Sequence, residues 1–245
     1  MAVSIKSRPL HLDATDRPAH FGIASLDEQG AIQLTHYVLR DSSTWQLLDT
    51  LKSPSPESLG AVIVRNSGSG GEGVSVFQVP FSPRALWALG FNGGYASAIS
   101  SAYDVRIVGE HGRLGWRIRH PAQAVALSDQ ERRRGERIIN AIAQRRPDVA
   151  KRLELPESKP VLHAICMDID RRLWVQLETA QGADGIADVY DDHGTWLFRA
   201  AWPGAIDLSL CAARGDAALG TTTDSLGLQH VVRLRFAPST SSTGH

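Results

Sequence analysis

Two acid–histidine pairs occur in the sequence, and glycine follows each directly. A carboxylate beside an imidazole could support general acid–base catalysis, because the carboxylate orients a ring that exchanges protons near neutral pH. The pairs, however, lie in two longer phrases, 107–121 and 189–203, that align without a gap. Matching positions are Glu110/Asp192, His111/His193, Gly112/Gly194, Trp116/Phe198, Arg117/Arg199 and Pro121/Pro203. This repetition favours a structural turn over a catalytic site, with both glycines at positive φ.

Two further motifs resemble ligand sites in part. GSGGEG at 68–73 fits the dinucleotide pattern G-x-G-x-x-G, but the alternating run VSVFQV follows it. A dinucleotide site requires a helix there, so a hairpin loop is predicted. Asp168 and Asp170 resemble a fragment of a calcium loop, but the remaining acids are missing, which favours a turn. The motifs H-E-x-x-H, G-x-S-x-G and C-x-x-C do not occur, so no catalytic residue, cofactor or metal ligand is assigned.

The two cysteines, Cys166 and Cys211, both lie in apolar strand-like runs. Such surroundings favour two buried free thiols. A bridge between neighbouring strands is the alternative.

Most of the chain consists of short apolar or alternating runs, such as YDVRIVG and VVRLRF, separated by turn residues. This pattern is typical of antiparallel β-structure. A weaker third copy of the repeat matches Val38, Asp41, Thr44 and Trp45 to Val189, Asp192, Thr195 and Trp196 at an offset of 151. An offset of 45 aligns Cys166 with Cys211. A spacing of roughly 40–50 residues suits one four-stranded propeller blade.

The sequence therefore predicts an all-β fold, a β-propeller of about four to six antiparallel blades in a closed or open ring. The blades are drawn at 9–51, 57–81, 83–121, 160–203 and 205–236. One domain spans residues 1–237, and 238–245 form a disordered tail.

A helical insertion near 128–152 breaks the β pattern. Ser128 and Glu131 form a capping box, which predicts a helix to about Gln144, and Pro147 ends it or begins a second helix. Ile138, Ile139 and Ile142 form its apolar stripe. The insertion also carries the residues predicted to bind a partner, namely Arg132, Arg133, Arg134, Arg137, Arg145 and Arg146. A solvated helix face is the simpler interpretation of these charges.

Composition limits the classes of partner. The 245 residues carry zero formal net charge, so no overall field favours nucleic acid. No apolar run approaches the ~18 residues of a membrane span, and no signal-peptide core is visible at the N-terminus.

The segments PFSPRALWALGFNGGYASAISSAYDVRIVGEHGRLGWRIRHP, MDIDRRLWVQLE and GDAALGTTTDSLGLQHVVRLRF resemble the bacterial six-bladed β-propeller family related to NHL-type repeats. The resemblance covers about 75–236, and it carries over no catalytic residue. It implies a periplasmic or other extracytoplasmic location, whereas a native N-terminus without a signal would imply the cytoplasm.

The favoured function is a non-enzymatic scaffold that binds a protein, in an extracytoplasmic membrane-associated complex. A metal-dependent lactonase or hydrolase with channel acids such as Asp168 is one alternative. A sensor of a small ligand or glycan is the other.

Overall fold

Antiparallel β-sheet dominates the part of the chain that the computed structural model describes, which is residues 19–26, 32–39, 47–52, 57–68, 71–90, 94–109 and 114–236. The strands of this part are β1 (Ala19–Leu26), β2 (Ile32–Leu39), β3 (Leu47–Lys52), β4 (Val62–Gly68), β5 (Gly71–Phe77), β6 (Ala85–Leu89), β7 (Tyr95–Ile99), β8 (Asp104–Val108), β9 (Leu114–Arg119), β10 (Leu162–Met167), β11 (Leu173–Leu177), β12 (Gly185–Tyr190), β13 (Trp196–Trp202), β14 (Ile206–Arg214), β15 (Ala217–Thr223) and β16 (Gln229–Arg235). Its helices are a short 3-10 turn (Glu57–Leu59), α1 (Asp129–Ala143) and α2 (Pro147–Ala150). The predicted all-β class with one helical insertion is confirmed.

The strands form five sheets in the described residues, and in each sheet consecutive strands pair antiparallel. In chain order, sheet I is β1–β3, sheet II is β4–β5, sheet III is β6–β9, sheet IV is β10–β13 and sheet V is β14–β16. Each predicted blade range contains one sheet. The turn residues that separate the apolar runs in the sequence also lie between one sheet and the next. Closure into a ring stays a prediction.

The repeated phrase is the hairpin between the third and fourth strands of sheets III and IV. The two hairpins share their register as well as their sequence: a β-bulge follows Ile107 in β8 and its equivalent Val189 in β12. A bulge twists and bends the strand that carries it, so the residues repeat because the bend repeats. The same bulge follows Val38 in sheet I.

The third copy needs a correction to its alignment. Leu39 pairs with Leu47 across the β2–β3 hairpin, whereas the equivalent pair in sheet IV is Tyr190 with Trp196. The connection in sheet I is therefore longer, and the offset of 151 holds for β2 but not for β3. The predicted matches at Asp41, Thr44 and Trp45 lie outside the described residues, as does the tail 238–245.

The turn between β12 and β13 is held by Asp191 and Gly194; of these two residues only the glycine recurs in the repeat, because Gly109 stands at the place of Asp191. Gly194 has φ 78°, as predicted, and the Asp191 carboxylate accepts hydrogen bonds from the backbone N–H groups of His193 and Thr195 at 2.9 and 2.7 Å. A Cβ at Gly194 would lie 3.3 Å from Cβ of Trp116 on sheet III, so the turn is also a point of contact between sheets. Gly112 and His111 lie outside the described residues.

Sheets III, IV and V pack side by side through their first strands: β10 contacts β6, β7 and β14. One apolar cluster fills the space between sheets III and IV, with Val105, Leu162 and Leu173 at or near zero exposure. A second joins sheets IV and V around Trp174, which is fully buried.

The prediction of two free thiols is wrong, because Cys166 and Cys211 form a disulfide with a Cα–Cα distance of 5.3 Å. They occupy matching places on β10 and β14, the adjacent first strands of sheets IV and V. Apolar neighbours in the sequence predicted burial, but the proximity of the two strands is a property of sheet packing.

The helical insertion begins as predicted. Ser128 Oγ accepts from the Glu131 N–H, and the Glu131 carboxylate accepts from the Ser128 N–H, which completes the capping box. Ile139 and Ile142 pack with Val149 of α2 and Val62 of sheet II. Ile138, the third member of the predicted apolar stripe, is 42% exposed and was wrongly assigned.

Candidate functional site

The acid–histidine pair at Asp192 and His193 is a surface turn. The His193 Nε2 to Asp192 Oδ1 distance is 3.5 Å, and both side chains are largely exposed. Trp116 contacts the His193 ring edge-on. The hydrogen bonds of this segment are made by Asp191 to the turn itself, which supports the structural interpretation.

Asp168 is a buried structural acid. Its Oδ1 accepts from the N–H groups of Asp170 and Arg172, and its Oδ2 accepts from Arg172 Nε at 2.7 Å and Trp174 Nε1 at 2.8 Å. Four donors saturate the carboxylate, so the predicted turn is confirmed. The interpretation of Asp168 as a channel acid is wrong, because its oxygens are committed to the β10–β11 turn.

The glycine-rich stretch 68–73 is the predicted hairpin. Gly68 of β4 pairs with Gly71 of β5, and β5 continues directly from the loop. The helix that a dinucleotide phosphate requires does not follow.

The predicted partner-binding arginines divide into three groups. Arg133, Arg134 and Arg137 are exposed on α1, and they make no ion pair with the residues that the structure describes. We call these three residues the basic face. Arg132 is half-buried and Arg145 is exposed beyond the end of α1. The sixth, Arg146, is already paired with Asp148, at 3.0 Å between Nη2 and Oδ2.

The basic face is held by contacts that the sequence did not reveal. Lys159 is buried, and its ammonium lies 2.8 Å from Glu131 Oε1 and also donates to the Thr179 carbonyl. Burial opposes the charge on Glu131, but the hydrogen bonds from Lys159 and Ser128 outweigh burial and hold its pKa below the usual value. Gly135 packs so closely on Leu155 that a Cβ would approach Cδ2 to 2.6 Å. These contacts fix the orientation of α1 relative to the residues that pack beneath it.

A second candidate site lies between sheets III and IV, where a polar network crosses the interface. The Tyr103 hydroxyl donates to Asp188 Oδ2 at 2.9 Å and lies 2.8 Å from the Tyr190 hydroxyl. Arg199 binds both oxygens of the same carboxylate, Oδ1 through Nε at 2.8 Å and Oδ2 through Nη2 at 3.0 Å. Tyr103, Asp188 and Tyr190 are buried, so this network joins the two sheets.

Burial determines the protonation of this network. It raises the pKa of Tyr103, with a further contribution from the Tyr190 hydrogen bond, and it also raises the pKa of Tyr190. Burial likewise opposes the charge of Asp188, but hydrogen bonds from Arg199 and Tyr103 outweigh it and lower the pKa of this carboxyl. At neutral pH the network therefore holds two neutral phenols and one carboxylate that is neutralised by Arg199.

The network forms the base of a cleft of about 310 Å³. We call it the inter-sheet cleft; its lining is Tyr103, His120, Pro121, Ala122, Leu177, Asp188, Tyr190, Trp196 and Arg199. The sequence did not predict this cleft, although Arg199 and Trp196 are both repeat positions. Nothing in the sequence signalled that Tyr103 and Asp188, 85 residues apart, would meet.

The equivalent arginine of sheet III also binds an acid. Arg117 forms a forked contact with Asp104, at 2.7 Å from Nε and 2.6 Å from Nη2, and Arg119 approaches the same carboxylate at 3.2 Å. The repeated arginine is thus a cross-strand ion-pair position. The hydrogen bonds from Arg117 lower the pKa of Asp104 from 3.8 to about 2.

This shift predicts a loss of stability in acid. Because the folded pKa is depressed, the stabilisation is complete well above pH 3.8 and is lost as the pH falls towards 2. Allowing for solvent screening, Asp104→Asn should cost about 1–2 kcal/mol of unfolding free energy at pH 7 and much less at pH 2. Urea unfolding of both forms across this pH range measures the difference. Asp207→Asn, an exposed acid on β14, is the control; an Asp104→Asn effect independent of pH would contradict the assignment.

No protein-family model matches the chain, and no curated protein matches it either. The fold and its contacts define an all-β protein of repeated antiparallel sheets. Within the described ranges, no helix is long and apolar enough to cross a membrane, and no group of three or more His, Cys, Asp or Glu is placed to hold a metal ion.

Proposed function

We propose that this protein is a non-enzymatic β-propeller that serves as a scaffold, and that the basic face of α1 docks on an acidic surface of a protein partner. The observation that carries the proposal is three exposed arginines, Arg133, Arg134 and Arg137, without ion pairs among the described residues. Each planar guanidinium can bind a carboxylate through two hydrogen bonds, so an acidic protein surface fits the chemistry of this face.

Rigidity of the helix supports the same conclusion. The capping box, the buried Lys159–Glu131 pair and the contact of Gly135 with Leu155 hold α1 from its inner side. A preorganised face loses less conformational freedom on binding, so more of its contact energy contributes to affinity. A mobile loop with the same charges would not have this advantage.

The free flank of sheet V is the competing docking surface. β16 has one strand neighbour among the described residues, and Leu219, Leu228 and Val231 are 45%, 58% and 76% exposed. An edge strand beside exposed apolar side chains can pair with a strand of another chain. The flank also carries two exposed arginines, Arg233 and Arg235, but the basic face has three on a helix whose inner side is fixed by the contacts above, so we favour the basic face.

The disulfide supports an extracytoplasmic location. Cys166–Cys211 joins the first strands of two sheets, and disulfides persist mainly in oxidising compartments such as the periplasm. A scaffold there could belong to a membrane-associated complex without spanning the membrane itself.

A double charge reversal tests the proposal. We expect Arg133→Glu/Arg137→Glu to reduce partner recovery in a pull-down by at least tenfold at about 0.05 M salt, where screening is weak. At about 0.5 M salt the wild type should itself bind less, and the difference should narrow. Lys151→Glu/Arg152→Glu makes the same change in charge at exposed residues beyond α2 and should retain binding.

Two outcomes would overturn the proposal. Unchanged recovery after the double reversal would eliminate the basic face and leave the flank of sheet V. Reversal-sensitive binding to vesicles with anionic lipids, without any protein recovered stoichiometrically, would assign the face to a membrane surface.

A further inference from the structure

Arg199 has more hydrogen-bonding capacity than its ion pair uses. Its Nε and Nη2 edge binds Asp188, which engages two of the five N–H donors of a guanidinium. The remaining three donors, on Nη1 and Nη2, have no partner among the described residues, and the side chain is 58% exposed. A guanidinium can bind a second carboxylate on this free edge in the same forked geometry.

The walls of the inter-sheet cleft are aromatic. Trp196 lines the cleft and is 54% exposed, so much of its indole surface is open to a ligand. The His120 ring meets Tyr103 edge-on at 5.1 Å and lies at 26° to the Tyr190 ring at 6.3 Å. Flat faces of this kind stack on a ring-shaped ligand.

Charge in and beside the cleft favours an anion. Asp188 is already neutralised by Arg199, and both phenols are neutral. A second lobe shares Tyr103, His120, Pro121 and Ala122 with the cleft, and Asp104 and Arg119 also line it. Asp104 binds Arg119 and also Arg117, which lies outside the lining. Arg117 and Arg119 together outnumber Asp104, so this group carries a net positive charge beside the cleft.

The volume limits the ligand to a small one. About 310 Å³ lies at the lower end of the range for small-molecule sites. This space accommodates a single ring with its substituents rather than a nucleotide or an oligosaccharide.

We propose that the inter-sheet cleft binds one carboxylated ring, with the free edge of Arg199 on the carboxylate and Trp196 stacked on the ring. A hexuronate and an aromatic acid share this chemistry. The site is independent of the basic face of α1, because its lining lies on sheets III and IV and the segment that follows β9.

Titration calorimetry on the intact protein tests the proposal with D-glucuronate and benzoate as probes. We expect saturable binding of at least one probe in the millimolar range, because each probe has few atoms with which to make contacts. D-glucose should bind at least tenfold more weakly than D-glucuronate, because it lacks the carboxylate. Saturation by D-glucuronate alone assigns a sugar acid, and saturation by benzoate alone assigns an aromatic acid.

Variants separate binding from folding. Arg199→Lys retains a positive charge beside Asp188 but loses the fork, and it should weaken binding of the active probe by at least tenfold. Trp196→Ala should weaken it to a similar extent, whereas Trp116→Ala, an exposed tryptophan outside the cleft, should not. Circular dichroism establishes that each variant is folded, and His120→Ala is the further test should Arg199→Lys fail to fold.

The proposal is overturned if neither acid gives a saturable signal. It is also overturned if D-glucose binds as tightly as D-glucuronate with benzoate inactive, or if folded Arg199→Lys and Trp196→Ala proteins bind like the wild type.

Discussion

Replacing Trp174 by alanine should lower the free energy of unfolding by about 3–5 kcal/mol. The indole is fully buried between sheets IV and V, with its ring 6.0 Å from Phe198 and 5.3 Å from Phe236. Truncation leaves a cavity there, and it also removes the Trp174 Nε1 hydrogen bond from the buried carboxylate of Asp168. Urea unfolding followed by circular dichroism measures the loss.

Two further variants divide this effect into its parts. Trp174→Phe retains a ring but loses the N–H group, so it should cost about 1.5–3 kcal/mol, the contribution of one hydrogen bond to a charged group. Arg172 Nε still binds Asp168 Oδ2 in this variant. Trp116→Ala removes an indole that is 47% exposed and should cost about 1 kcal/mol or less. Equal losses for Trp174→Ala and Trp116→Ala would show that Trp174 does not hold the two sheets together.

Removal of the Cys166–Cys211 disulfide should lower the free energy of unfolding by about 4 kcal/mol. The bridge closes a loop with a sequence separation of 45, so its loss increases the conformational entropy of the unfolded chain. The measurement compares the urea midpoint of the wild type in the presence and absence of a reducing agent.

A cysteine-free protein is the control for this experiment. Cys166→Ala/Cys211→Ala should unfold at the same urea concentration with and without the reducing agent, near the midpoint of the reduced wild type. If the wild type were also insensitive to reduction under conditions that release two thiols, the bridge would make no contribution to stability. Free thiols in the unreduced protein would contradict the disulfide itself.

The sequence by itself determined the features that depend on neighbouring residues. The alternating runs predicted antiparallel strands, and the ranges drawn from the turn residues each contain one sheet. The phrase at 107–121 and 189–203 predicted a repeated hairpin, which sheets III and IV contain with the same bulge. Ser128 and Glu131 predicted the start of α1 because a capping box is completed within four residues. Gly194 was identified because the turn requires positive φ.

Other features of the site were decided by the tertiary structure. The sequence could mark Arg133 and Arg137 as charged helix residues, but their exposure depends on which side of α1 packs against Leu155 and sheet II. Similarly, the pairing of Arg146 with Asp148 depends on the bend between the two helices. Periodicity alone placed Ile138 with Ile139 and Ile142, and the packing direction excluded it.

The inter-sheet cleft and the disulfide show the physical reason most clearly. Tyr103 and Asp188 are 85 residues apart, and Cys166 and Cys211 are 45 apart. The sequence around each of these residues predicts only a strand or the end of one. Local sequence determines which side of a strand a side chain faces, but not the distant residue that it will contact. The partner of each residue is set when sheets III, IV and V pack together, and that packing removes apolar side chains of all three sheets from water. The inter-sheet cleft between sheets III and IV, with the free guanidinium edge of Arg199, therefore exists only in the assembled fold.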